Sequence, residues 1–335
     1  MKVQAYAAKE ARAQLEPWEY EAEPLRPFEC RVRVQACGIC HSDIHMIDND
    51  WGMSRYPLVP GHEVVGVVTE TGEAVTHLRP GDRVGIGWQS GACMQCPDCL
   101  GGNENLCDAN EGLIVQRRGG FADYVQVDAR FAFPLPAELP TEAAGPLLCG
   151  GITVYSALRH AGMTSGREIG VIGLGGLGHL ALLFASRLGN RVTVFTTTAE
   201  KAEQALRLGA AHAVVLPAGG QAPKPERRLQ VLLNTAPIQL DWSGYLQWLD
   251  SDGTLVLVAG PAEPIQVPFW DLLLKRRRVM GSPIGGRKMI TEMLQIAAAY
   301  KILPQVETYA LREVNRAVER VRANQVRYRA VLLNE

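Results

Sequence analysis

Apolar and polar positions alternate in two different rhythms along the chain, and the change falls near residue 150. Before it, apolar residues come in short runs at 31–34, 64–69, 83–86 and 122–127, set apart by turn residues such as Pro60-Gly61 and Pro80-Gly81-Asp82. Strand-length runs bounded by glycine and proline predict a β-rich, barrel-like domain over residues 1 to about 147. After it, strand-like runs at 169–172, 192–195, 213–216, 231–233 and 255–258 alternate with helical patterns at 177–188, 200–208 and 242–249. Strands alternating with helices predict a parallel sheet with helices on its faces. The stretch 217–228, rich in proline, glycine and charge, reads as an exposed crossover between two halves of that sheet. Beyond Gly285 come a helix at 290–300, a strand at 306–309, an amphipathic helix at 313–322 and a strand at 330–333. The pattern alone does not say which domain this tail joins.

At 335 residues the chain has material for about two domains. A net charge of −1 gives no electrostatic basis for binding nucleic acid or an anionic membrane. The run Lys275-Arg276-Arg277-Arg278 reads as a solvated helix end. Met1 to Pro17 holds no apolar segment of signal-peptide type, and no window reaches the ~20 apolar residues of a membrane span, so a cytoplasmic protein is expected. In that reducing setting, eight cysteines point to metal or catalysis rather than disulfides.

The stretch from Cys37 to Glu63 offers Cys40, His62 and Glu63 as metal ligands, with Asp43 as a supporting carboxylate. Zinc takes thiolate and imidazole together, and a catalytic zinc site keeps one position open. Ser42 and His45 supply a hydroxyl and an imidazole suited to moving a proton. The competing reading is a buried cysteine and a satisfied core histidine. Cys149, at the junction of the two expected domains, is a candidate third ligand, which spacing in sequence does not establish.

Cys93, Cys96, Cys99 and Cys107 carry the most specific signal. Four thiolates this close can wrap one tetrahedral zinc with every position filled, which makes the site structural. A nucleic-acid zinc ribbon is the alternative, and Asp98, Glu104, Asp108 and Glu111 in or beside the loop speak against it. Gly173-Leu174-Gly175-Gly176-Leu177-Gly178 follows an apolar strand and opens an apolar helix, the context of a dinucleotide-binding turn. Where an NAD site would place an acidic residue, the chain has Thr196, Thr197 and Thr198, then Lys201. Hydroxyls and an ammonium suit a 2′-phosphate, so NADP is favoured; the competing reading is that the threonines only cap the next helix.

In this order these motifs resemble those of the zinc-dependent medium-chain alcohol dehydrogenases, through nearly the whole chain. Gly119-Gly120-Phe121-Ala122, Pro146 to Val154 and Arg327-Tyr328-Arg329 bring it closest to the cinnamyl-alcohol-dehydrogenase-like branch and its bacterial aldehyde reductases. The resemblance implies an α/β plus β protein: a GroES-like catalytic domain over 1–149 carrying a structural zinc lobe, a Rossmann cofactor domain over 150–283, and a return to the catalytic domain over 284–335. It implies two zinc ions per chain, a catalytic one on Cys40, His62 and Cys149 with Glu63 close by and Asp43 supporting His62, and a structural one on the four-cysteine lobe. It implies NADP(H), with His41 toward the cofactor phosphates, and a proton relay from Ser42 through the nicotinamide ribose to His45. Cys37 is no ligand in this family. The resemblance also admits a homodimer through the Rossmann domain.

By the same resemblance the substrate pocket is walled by Trp51, Trp88, Leu113 and Ile284; none is charged, so the expected activity is reduction of apolar, uncharged aldehydes, aliphatic or aromatic. The two tryptophans stand where plant members often carry smaller side chains, so the plant substrates do not transfer. A non-enzymatic cofactor-binding relative is the rival reading, and the presence of all three catalytic ligands argues against it.

Overall fold

The strand Glu29–Ile39 is the spine of the first sheet in the computed structural model, which describes residues 1–216, 225–261 and 263–334. It pairs antiparallel with Glu63–Thr71, Tyr124–Asp128 and Arg329–Leu333. The sheet runs Val306–Ala310, Arg329–Leu333, Glu29–Ile39, Glu63–Thr71, Arg83–Ile86, Ala132–Pro134. Val32, Val64, Val84, Ile86, Phe121, Val127 and Phe131 fill its core. The helix Val314–Arg322 presents Val314, Ala317, Val318 and Val321 to the interior, the one-sided spacing of an amphipathic helix. The tail therefore belongs to this unit, which comprises Met1–Cys149 with Gly285 onward. Ile284 falls in the second unit, Gly150–Ile284, rather than with the return.

The second unit is a six-stranded sheet in the order His212–Val215, Arg191–Thr196, Glu168–Ile172, Leu229–Asn234, Leu249–Leu257, Arg278–Gly281, parallel at every pairing. Its central strands are buried almost end to end, as parallel strands with covered faces must be. Phe195, Trp242, Tyr245, Leu246 and Trp248 pack one face.

Several elements differ from the periodicity reading for local reasons. The hairpin of Lys2–Ala7 and Glu16–Glu21 escaped it because its first strand buries only Val3, Ala5 and Ala7 and its second buries nothing. The edge strand Arg278–Gly281 and the helix Phe269–Leu273 also bury no residue, so no periodic signal marked them. The helix expected over 242–249 stops at Gln247, and the strand after it starts at Leu249 through exposed Ser251 and Asp252. The helix Arg287–Ala299 begins three residues early on a polar first turn. Of the expected crossover at 217–228, residues 217–224 lie outside the described residues. Among the described residues no helix is long and apolar enough to cross a membrane.

Candidate active site and metal centres

Two antiparallel strands end side by side and deliver the first ligands. Gly38 pairs with Glu63, so Cys40, just past one strand, and His62, just before the other, lie at the same edge. Cys40 takes extended dihedrals (φ −113°, ψ 158°) and caps the helix His41–Asp48. Cys149 arrives on the wide π-helical turn Leu147–Gly151. One ligand atom from each of Cys40, His62, Glu63 and Cys149 lies within 4.8 Å of all the others. A tetrahedral zinc with Zn–S of about 2.3 Å sets two sulfurs about 3.8 Å apart, and Cys40 and Cys149 stand at 3.8 Å. His62 Nε2 is 3.3 Å from Cys149 Sγ. The donor set and its spacing fit zinc.

Asp43 holds this arrangement. It is fully buried, and Oδ1 accepts the Gly61 N–H at 2.8 Å and His62 Nδ1–H at 2.9 Å, while Oδ2 accepts the Cys40 N–H at 2.9 Å. The proton on Nδ1 leaves Nε2 free for metal, and the carboxylate raises the basicity of the ring. Burial pulls the basicity of the His62 ring down, and the Asp43 carboxylate beside it pushes it up. The hydrogen bond from Cys149 holds the Cys40 thiol well below its ordinary value, and Cys149 rises correspondingly.

Glu63 is buried and its Oε1 pairs with Arg329 from the last strand, while Oε2 has no partner among the described residues. Arg329 was missed as a site residue; the Arg-Tyr-Arg triplet was its only signal. Ser42 is half-buried with Oγ 3.8 Å from Cys40 Sγ, and His41 is exposed. His45 Nδ1 is 2.7 Å from Asp50 Oδ2, a partner five residues on that also went unread. The Trp51 ring lies tilted against His45 at 5.1 Å and meets Trp88 edge-on at 6.0 Å, and Trp88 meets the His62 ring edge-on at 5.1 Å. Leu113 corrects the expected wall: it is fully buried, and its N–H bonds the Trp88 carbonyl at 2.7 Å, so it backs Trp88 and shows no surface to a ligand. Ile284 is half-buried in the second unit. Cys37 is buried and outside the ligand cluster, its thiol pushed well up by burial.

Cys93, Cys96, Cys99 and Cys107 also converge within 4.8 Å, with Cys93 and Cys99 sulfurs 3.9 Å apart. Backbone N–H groups of Gln95 and Cys96 lower the Cys93 thiol to about 6, as suits a thiolate ligand. No fifth side chain joins this set among the described residues, so the site is closed.

In the second unit the glycine turn follows the strand Glu168–Ile172 and opens the helix Gly178–Arg187. Gly173 adopts φ +91°, and a Cβ at Gly178 would collide with the Gly173 carbonyl. A Cβ at Gly175 would meet no atom within 4 Å, which leaves its backbone bare to a pyrophosphate at the helix N-terminus. The turn fits a dinucleotide. Thr196 is buried in its strand and Thr198 caps the helix Ala199–Arg207, accepting the Lys201 N–H at 3.2 Å. Thr197 is exposed and Lys201 half-buried.

Two family profiles match the chain: the alcohol dehydrogenase GroES-like domain over residues 26–137 and zinc-binding dehydrogenase over 176–299. Among curated proteins, an aldehyde reductase of Synechocystis sp. is 41% identical over 330 residues, 98% of each chain. An NADP-dependent alcohol dehydrogenase C of Mycolicibacterium smegmatis is 39% identical over 98% of this chain and 97% of that one. The cinnamyl alcohol dehydrogenase of Helicobacter pylori, solved with NADP(H), superposes with a TM-score of 0.91 at 29% identity, covering 99% of this chain and 98% of that one. That of Sorghum bicolor gives 0.90 at 35%, covering 99% and 97%. The chain is a zinc-binding medium-chain alcohol dehydrogenase of the cinnamyl-alcohol-dehydrogenase-like branch.

Proposed function

We propose that the protein is an NADP(H)-dependent aldehyde reductase acting on apolar, uncharged aldehydes. The observation that carries this reading is the Cys40, His62 and Cys149 donor set at zinc spacing, with Asp43 fixing the His62 tautomer. When bound, zinc supplies a Lewis acid for the carbonyl oxygen and NADPH supplies hydride. Ser42 Oγ, beside the Cys40 sulfur, is the proton donor to the nascent alkoxide. His45, its Nδ1 held by Asp50, keeps Nε2 free to pass a proton on at the solvent side. Trp51 and Trp88 give an uncharged aromatic wall, against which a charged substrate group would be buried unpaired at high cost. The bare Gly175 turn, the exposed Thr197 and the half-buried Lys201 support NADP(H), since none of them repels a 2′-phosphate. Six of the eight cysteines gathered into two metal-ligand sets support a cytoplasmic setting, where thiols stay reduced. A second copy of this chain is the expected partner: the edge strand Arg278–Gly281 follows a helix whose Phe269, Trp270 and Leu273, with Leu274 just past its end, are all exposed. The deciding experiment is NADPH consumption with a panel of aldehydes, run with and without NADH substitution. No turnover with apolar aldehydes, or preference for charged ones, overturns the reading.

A further inference from the structure

The four-cysteine lobe contains one buried carboxylate that belongs to neither metal set. Glu104 lies between Cys99 and Cys107 on the short turn Glu104–Leu106, and 3% of it is exposed. A carboxylate withdrawn from water needs donors, and these come from far along the chain. Oε2 accepts the backbone N–H of Arg287 at 2.9 Å, and Oε1 lies 3.4 Å from the Arg287 guanidinium. Arg287 opens the 13-residue helix Arg287–Ala299, whose N-cap, Gly286, has no side chain with which to cap it. Glu104 does that task from the lobe, with its charge at the positive end of the helix dipole. The approach is tight: a Cβ on Gly286 would collide with the Gly102 carbonyl and press on Glu104. Arg287 is held further by its Nε–H to the Arg130 carbonyl at 2.7 Å and by the Phe131 ring, 5.7 Å away. Gly285 and Gly286 are the first residues of the chain's return into the first unit.

We propose that Glu104 makes the four-cysteine lobe a clamp on that return: metal in the lobe fixes Glu104, and Glu104 fixes the start of the Arg287–Ala299 helix. The coupling is reciprocal, so a docked helix also holds the lobe's metal more tightly. This gives the closed site a positioning task outside the reaction itself. It rests only on the lobe binding zinc, which elemental analysis checks before the clamp is tested.

The test compares full-length, zinc-loaded wild type with Glu104→Gln by hydrogen exchange and by zinc release to a coloured chelator. Glutamine keeps the shape but loses the charge. Exchange at 286–291 should become about tenfold faster, the scale of one weakened charge-assisted bond on a helix end. Peptides from Gly150–Ile284 should exchange as in wild type, and the lobe's zinc should leave faster. Arg287→Ala keeps its backbone N–H on Glu104 and should move both readouts less. As a route independent of the variants, stripping the lobe's zinc from wild type should accelerate the same 286–291 amides first. Unchanged exchange there, acceleration spread evenly along the chain, or zinc leaving at the wild-type rate overturns the clamp. A wild type holding a single zinc ion overturns the metal assignment beneath it.

Discussion

Replacing Asp43 with asparagine should empty the catalytic metal site while leaving the structural one loaded. The two side chains are isosteric, so no cavity opens. The carboxylate, however, accepts three N–H groups, from Gly61, His62 and Cys40. If the amide oxygen keeps Gly61 and His62, the amide nitrogen points a donor at the Cys40 N–H. One buried N–H then goes unpaired, at about 1–3 kcal/mol, and the remaining bonds lose roughly half their strength with the charge. Part of this loss falls on the fold and part on the His62 ring, so zinc affinity at Cys40, His62 and Cys149 should drop about 10–100-fold. Chelator competition measures it, with the zinc of the four-cysteine lobe as an internal reference in the same molecule. NADPH-dependent turnover should fall with the lost zinc and recover at high added zinc. An Asp43→Asn protein that holds both ions as tightly as wild type refutes the role assigned to this carboxylate.

Trp88→Ala should remove an edge-on contact with His62 worth about 0.5–1.5 kcal/mol and change relative kcat/KM among aldehydes of different bulk; a uniform fall across the panel argues that Trp88 only packs. Thr197→Asp should move cofactor preference toward NADH by about 1–3 kcal/mol, read as the ratio of kcat/KM values, and equal use of NADH by wild type contradicts the reading of this segment. Burial pushes the Glu29 carboxyl up, but hydrogen bonds from Arg26 and Arg117 prevail and lower it from 4.5 to about 2. A depressed carboxyl stabilises the fold above pH ~4.5 and loses that contribution as pH falls toward ~2. Glu29→Gln should therefore be less stable than wild type at pH 7 by about 1–2 kcal/mol, less than full linkage because Arg26 is solvent-screened, and the two denaturation curves should converge in acid. A constant gap across that range refutes the linkage.

Sequence made the chemistry more legible than the supports around it. Cys40, His62, Cys149 and the four lobe cysteines could be found because thiol and imidazole are scarce and their motifs are compact. The central parallel strands were equally plain, since covering both faces forces continuous apolar runs. What escaped was relational. Arg329 and Glu104 are ordinary charged residues until the fold carries them 266 positions to Glu63 and 183 positions to Arg287. Leu113 was expected at the pocket wall by the family resemblance, yet which face of a short helical turn points inward depends on Trp88 across it. The hairpin at the N-terminus and the edge strand Arg278–Gly281 were silent because solvent covers them as fully as protein does.

The pairing of Glu63 with Arg329 has a consequence for how the chain is made. The strand Arg329–Leu333 lies between Val306–Ala310 and Glu29–Ile39 in the first sheet, so that sheet lacks an inner strand until residues 329–333 leave the ribosome. Gly150–Ile284 is unbroken in sequence and has all its strands well before then. During synthesis the cofactor unit can mature while the older, N-terminal half waits, its Glu63 carboxylate still without a counter-charge and kept in contact with water. The strands made before residue 150 thus close after the unit made later, and a chain cut before Arg329 strands the Glu63 charge beside the metal ligands.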